Sequence, residues 1–234
     1  MEKMRLDKII SATGKKSRRE VRQMIKEGRI LVNGAFAASA EEKYDPETTE
    51  ILLDGQDLGY QRYTYVLLHK PAGLLSATED ARGDTVLSLL PPELRQLFPV
   101  GRLDKDTEGL LLLTNDGDLA HRLLSPKNHV DKVYYARVEG VLTAEDCRAF
   151  AQGMTLGDGL RCMPAELVIL SDSEAQVTLH EGKFHQVKRM LAACGKPVVY
   201  LKRVAMGPLR LDDSLKKGSY RFLTEEEKAE LQTF

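Results

Sequence analysis

Cysteine is scarce in this chain of 234 residues: Cys147, Cys162 and Cys194 are widely spaced and never form a C-x-x-C pair. An odd number at such spacing excludes a disulfide framework and a thiolate metal site, and free thiols suit a reducing cytosol. No run approaches the roughly 20 apolar residues needed to span a bilayer, and Met1-Glu2-Lys3-Met4-Arg5 opens no apolar stretch of signal-peptide length. The expectation is a cytoplasmic protein without membrane association. Internal repeats and low-complexity tracts are also missing. Nor is there an excess of charge, since 34 Lys and Arg stand against 35 Asp and Glu for a net charge of -1. That sum argues against a polyanionic partner only if the charges are evenly spread, and they are not.

What is present is a composition 42% apolar, enough for a full core in one large domain or a small one joined to a larger one. Up to Gly34 the cations are Lys3, Arg5, Lys8, Lys15, Lys16, Arg18, Arg19, Arg22, Lys26 and Arg29, against Glu2, Asp7, Glu20 and Glu27. From Glu41 to Asp57 the balance reverses, with Glu41, Glu42, Asp45, Glu47, Glu50, Asp54 and Asp57 facing Lys43. Ser17 and Glu20 form an S-x-x-E capping box, Val21, Met24 and Ile25 follow at helical spacing, and Gly28 sits where a helix ends. This predicts a helix over 17–27. Ile30 to Val32 then reads as a strand, and Asn33-Gly34 as a hairpin turn leading into 35–39.

The stretches MRLDKII and SRREVRQMIKEGRILVNG resemble an S4 RNA-binding domain. The resemblance implies a helix-helix-hairpin unit whose cations, Arg5, Lys15, Lys16, Arg18, Arg19 and Arg22, lie against RNA phosphates. Such a cationic stripe contributes affinity without reading sequence. The polar stretch GQDLGYQR at 55–62 marks a change of segment near Gly59. The expected division is an RNA-binding domain at 1–58, a linker at 59–62 and a second domain at 63–234.

In that second segment, strands are expected at 65–68, 110–113, 133–138, 165–170 and 175–179, and helices at 117–124, after Thr143, at 185–194 and from Thr224 onward. The class is α+β, with a mixed, mainly antiparallel sheet in the larger domain. Leu110 to Leu113 is bracketed by the polar turn RLDKDTEG and by Asn115-Asp116-Gly117. Asp104 therefore sits in a loop held by a buried strand, fixed in position yet open to a ligand. Asp104, Asp106, Glu108 and Gly109 also reproduce half an EF-hand loop, but its twelfth position is Asn115 and the flanks are not helical, which excludes calcium. Turn-capping alone would also account for this aspartate.

GRLD followed by T-x-GLLLLTNDG resembles the catalytic motif of pseudouridine synthases, in the branch called RsuA-like that carries an N-terminal S4 domain. The likeness extends to KPAG at 70–73, Lys132-Val133-Tyr134, EGKFHQVKRML at 181–191 and GSYRFLTEEE near the C-terminus. It implies isomerisation of uridine in RNA, with Asp104 as the catalytic carboxylate. It also implies Lys188 as the basic partner of Asp104, with Arg189 one helical position away, and Tyr134 stacking on the uracil. Arg102 would support the flipped nucleotide. Tyr135, on the opposite strand face by alternation, is expected in the core. Lys70, Lys183, His185 and Arg189 are expected to contact RNA, within a stretch from Lys183 to Arg210 that has seven cations and no acid. HQVKRM resembles the small-subunit enzymes, which implies 16S rRNA, of the uridine 516 type, as substrate. The expected partner is ribosomal RNA, in a small-subunit assembly intermediate, bound by a monomer without metal or organic cofactor. Alternatives are a large-subunit (23S) rRNA synthase, an RNA glycosidase that releases uracil, and a noncatalytic ribosome-assembly factor.

Overall fold

The computed structural model describes residues 3–46, 48–60, 62–81 and 83–234. Glu2, Glu47 and Gln61, which entered the charge and segment readings, lie outside these. The chain divides into two compact units, a smaller one up to Thr64 together with Leu90–Gln96, and a larger one of Tyr65–Leu89 with Leu97–Phe234.

The smaller unit begins with helices α1 (Leu6–Ala12) and α2 (Arg18–Lys26), followed by strands β1 (Ile30–Val32), β2 (Ala35–Phe36), β3 (Ile51–Leu53) and β4 (Gln56–Asp57). The strands form an antiparallel sheet in the order β2-β1-β3-β4. The expected capping box is made in full: the Glu20 amide donates to Ser17 Oγ and the Ser17 amide to Glu20 Oε2. Asn33 and Gly34 both take positive φ, 49° and 79°, as the tight hairpin turn requires. Val21 and Met24, one face of α2, pack with Leu6, Ile9, Ile10, Ile30, Ile51 and Leu58, while the cations of α2 stay on the wet side. Within the stretch 55–62, β4 pairs with β3 and Leu58 is buried, so its first half is part of this unit's sheet and core.

The larger unit is built on β5 (Tyr65–Lys70), β6 (Glu108–Thr114), α3 (Gly117–Leu124), β7 (Lys132–Val138) and α4 (Ala144–Gln152). It continues with β8 (Glu166–Ser171), β9 (Glu174–Leu179), α5 (Gln186–Ala193), β10 (Val198–Met206), β11 (Tyr220–Phe222) and α6 (Glu225–Leu231). These strands run in the order β8-β9-β7-β10-β6-β5-β11, with Phe98–Pro99 beside β6 and Leu209–Arg210 beside β10. All pairings are antiparallel except β10 with β6, the mixed sheet expected. Every residue of β5 and β6 is buried, which explains the unbroken leucine run as a strand covered on both faces. Gly109 permits the parallel pairing. It has φ 111°, and a Cβ there would lie 2.2 Å from the Arg203 carbonyl oxygen.

The nine-residue β10, the longest strand described, was not expected from the sequence. Lys202 and Arg203 interrupt its apolar pattern, yet Arg203 is 2% exposed. Its place in the cationic surface expected at Lys183 to Arg210 is therefore corrected: the guanidinium lies inside the sheet, and its Nε donates to the Leu110 carbonyl at 2.8 Å. Among the described residues no helix is long and apolar enough to cross a membrane.

Candidate active site

Asp104 lies in the loop that leads into β6, and neighbouring segments pin that loop through its backbone. Ser76 Oγ donates to the Leu103 carbonyl and accepts from the Leu103 amide, while the Gly73 amide donates to the Lys105 carbonyl. Lys70 reaches under the loop, its ammonium donating to the carbonyls of Pro71, Asp104, Lys105 and Thr107 at 2.9 to 3.2 Å. The expectation that Lys70 contacts RNA is corrected by its complete burial. Desolvation lowers its pKa to about 8, with nearby Asp106, Asp104 and Glu108 opposing the shift, so it remains an ammonium at neutral pH. KPAG thus acts as a clamp: its lysine gathers the carbonyls of the turn, adding to the Thr107 amide on Asp104 and the Gly73 amide on Lys105.

Helix α5 brings the counter-charge. Lys188 Nζ lies 3.1 Å from Asp104 Oδ2 and 2.5 Å from Asp106 Oδ1. The Lys188 hydrogen bond is the main cause that holds the Asp106 carboxyl below the usual range. His185, the residue before α5, has Nε2 3.6 Å from Asp104 Oδ1 and a left-handed backbone with φ 51°. Arg189 turns away and pairs with Asp158 at 2.5 Å. The loop before α5 is braced by buried Glu181, which accepts from Gln186 Nε2 at 2.7 Å and from the Met163 amide at 2.8 Å. Lys183 pairs with Glu181 at 2.9 Å, so its charge is partly spent inside the protein.

Tyr134, 9% exposed, comes from the middle of β7 and meets Asp104 across a cleft. A small niche of about 60 Å3 is lined by Arg102, Asp104, Tyr134, Leu179, Val187 and Leu201. It shares Asp104, Tyr134 and His185 with a wider cleft of about 600 Å3 that adds Lys132, Phe184 and Arg203. That size suits a nucleotide. Tyr135 is on the opposite face, as alternation requires. It is half-buried rather than core, donating to Glu174 at 2.6 Å and meeting the Tyr200 ring edge-on.

The structure therefore places Asp104, Arg102, Tyr134, Lys183 and His185 around one cleft, with Lys188 held against Asp104, and leaves Lys70 beneath it and Arg189 outside. Asp106, Phe184 and Lys132 were given no place in the site from the sequence. Asp106 could have been suspected from its place two residues after Asp104, whereas the burial of Lys132 had no local signal. In the smaller unit Arg18 and Arg19 are exposed on α2 and Lys16 lies 3.9 Å from Glu20. Arg5 donates to Asp7 and Glu41, Arg22 lies 3.8 Å from Asp7, and Lys15 donates to the Leu58 carbonyl.

A carboxylate beside one ammonium, facing a buried tyrosine in a nucleotide-sized cleft, is compatible with several reactions at a sugar. Comparison narrows them. The sequence model of the RNA pseudouridylate synthase family matches residues 64–193, and that of the S4 domain matches residues 4–48. The chain belongs to the RNA pseudouridylate synthases. This synthase is 46% identical to the Uncharacterized RNA pseudouridine synthase YtzG of Bacillus subtilis, covering 96% of each chain. It is 38% identical to Ribosomal small subunit pseudouridine synthase A of Vibrio cholerae, over 97% of this chain and 99% of that one. A crystal structure of a pseudouridylate synthase aligns with a TM-score of 0.70 at 35% identity, over 97% of this chain and 99% of that one. The synthase is thus an isomerase acting on RNA, with an S4 domain and an α+β fold.

Proposed function

We propose that the chain converts a uridine of 16S rRNA, of the uridine 516 type, into pseudouridine, with Asp104 as the catalytic carboxylate. The substrate reading is supported by the relatives named for the small ribosomal subunit, of which that of Vibrio cholerae is 38% identical over nearly the whole chain. The observation that carries the site reading is the Asp104 carboxylate, held by a clamped loop in the cleft with Lys188 Nζ at 3.1 Å.

The reaction breaks the bond from ribose C1' to N1, turns the uracil and joins C1' to C5, after which C5 loses its proton and N1 gains one, so the product is an isomer of the substrate. It needs no redox partner and no external reactant. A carboxylate near the sugar can attack C1' or remove a sugar proton, and in either route it stabilises positive charge that develops on the ribose. Bound RNA excludes water from Asp104, and the Lys188 ammonium offsets the resulting desolvation of the carboxylate. A base in folded RNA must leave its stack to reach the cleft, where Tyr134 supplies the stacking face and Arg102 supports the flipped nucleotide at the mouth. The exposed cations of α2 add affinity through phosphates. The reading includes a monomer acting in the cytoplasm on an assembling small subunit.

Pseudouridines mapped by chemical labelling in ribosomal RNA from cells with and without the protein test reaction and target together. The expected result is one 16S position that disappears with the protein, returns with the wild-type chain and does not return with Asp104→Asn. Loss of a 23S position instead would replace the substrate, and full rescue by Asp104→Asn would overturn the site.

A further inference from the structure

Phe184 is the most exposed large apolar side chain among the described residues, at 74%. It lines the wider cleft, and its ring lies flat on that of His185, with centroids 3.9 Å apart and planes 16° from parallel. His185 in turn directs Nε2 toward the Asp104 carboxylate. One face of Phe184 is thus taken by the imidazole, and the side chain remains open to solvent beside the mouth of a cleft that also presents Lys105, Lys132 and Lys183. Leaving an aromatic ring in water forgoes the gain of burying it, and the left-handed backbone at His185 adds strain of the kind concentrated at functional sites. Both features are accounted for if the ring is covered when RNA binds.

We infer that Phe184 is a positioning residue, a platform on which the nucleobase next to the target uridine stacks while that uridine is turned into the cleft toward Asp104. The depth of the two aromatic rings sets the assignment. Tyr134 is 9% exposed and meets the niche beside Asp104, whereas Phe184 stands at the rim. Extruding one nucleotide removes a stacking partner from its neighbour, and a flat ring at the rim replaces it, forming a layered stack of base, Phe184 and His185. Sequence tolerance follows, because every base has a π face, and exposed Lys105 is left to meet a neighbouring phosphate.

This inference rests on the proposed role of the Asp104 cleft, and the two can fail separately. Full activity in Asp104→Asn overturns the cleft reading, whereas an inactive Asp104→Asn beside an unaltered Phe184→Ala overturns only the platform. The test uses a small-subunit rRNA transcript in which the wild-type chain is first seen to form pseudouridine, and matched transcripts with an abasic nucleotide on the 5' or 3' side of the target. Phe184→Ala is expected to raise KM about tenfold with kcat little changed, and Phe184→Trp to restore KM while Phe184→Leu does not. For the wild type, an abasic neighbour on one side should raise KM by a similar factor, with no further rise in Phe184→Ala. An unchanged KM in Phe184→Ala, equal rescue by Leu and Trp, or multiplying effects of the two changes would each overturn the platform. Should Phe184→Ala fail to unfold cooperatively, the comparison of Leu with Trp decides alone.

Discussion

The two units use positive charge in opposite ways. On α2 of the smaller unit Arg18, Arg19, Arg22 and Lys26 are all exposed, and the ion pairs around them, such as Arg29 with Asp54 and Lys16 with Glu20, lie at the surface. In the larger unit Lys70, Lys132 and Arg203 are 0%, 5% and 2% exposed, and each donates to backbone carbonyls. Surface cations are individually worth little to the fold and act together on a polyanion. A buried cation is different, because the groups around it have no water to turn to once it is removed. The same residue types therefore give a replaceable surface in one unit and irreplaceable fixtures in the other.

The sharpest way to break this comparison is Lys70→Met. It removes the donor to all those carbonyls and should lower kcat by about 100-fold or more, the scale of a catalytic group misplaced by about 1 Å. Stability should fall by about 2 kcal/mol, measured by denaturant unfolding. A loss no greater than that of an Arg18→Met control would erase the distinction between the units. A smaller effect, of another kind, is expected from the double change Arg18→Glu with Arg19→Glu. RNA binding should weaken and the slope of log K against log salt should fall by about two, one for each phosphate that is no longer neutralised, with little change in melting temperature. An unaltered salt slope would remove α2 from the RNA-binding surface.

A third effect concerns pH. Burial lowers Lys70 and Lys132 to about 8, so between there and the ordinary lysine value of about 10.5 the unfolded chain holds protons that the folded chain has released. The two lysines therefore contribute a rise in stability with pH across that window, opposed there by groups whose pKa burial raises, such as the Cys162 thiol and the Tyr200 hydroxyl. Lys70→Met should flatten part of the rise, while the Arg18 and Arg19 changes leave it intact. Denaturant midpoints at pH 8 and pH 10 check this, and an equal rise in all variants would contradict the assignment to buried lysines.

Much of the fold was legible because its signals are local. The Ser17 and Glu20 box, the Asn33-Gly34 turn and the leucine run at 110–113 each announce an element through residues a few positions apart, and all three are present. Strand β10 was not legible. Its alternation is broken by Lys202 and by Arg203, a residue read as surface until the sheet is assembled around it. Lys70 was misplaced for the same reason. A lysine before proline and glycine looks solvated, and its carbonyl partners at Asp104, Lys105 and Thr107 lie 34 to 37 residues away.

The site shows the same boundary. Sequence alone determined that Asp104 occupies a polar turn before a buried strand, that Lys188 and Arg189 share the outer face of one helix, and that the motifs are those of a pseudouridine synthase. It could not separate the two cations physically, because consecutive positions on a helix are only about 100° apart. Tertiary structure decided between them. The loop that carries Asp104 and Asp106 is set beneath Lys188, and the turn that carries Asp158 is set beside Arg189, through contacts spanning up to 84 residues of sequence. Helical period can say that a charge faces outward, but which partner waits there depends on segments that come together only when the sheet closes.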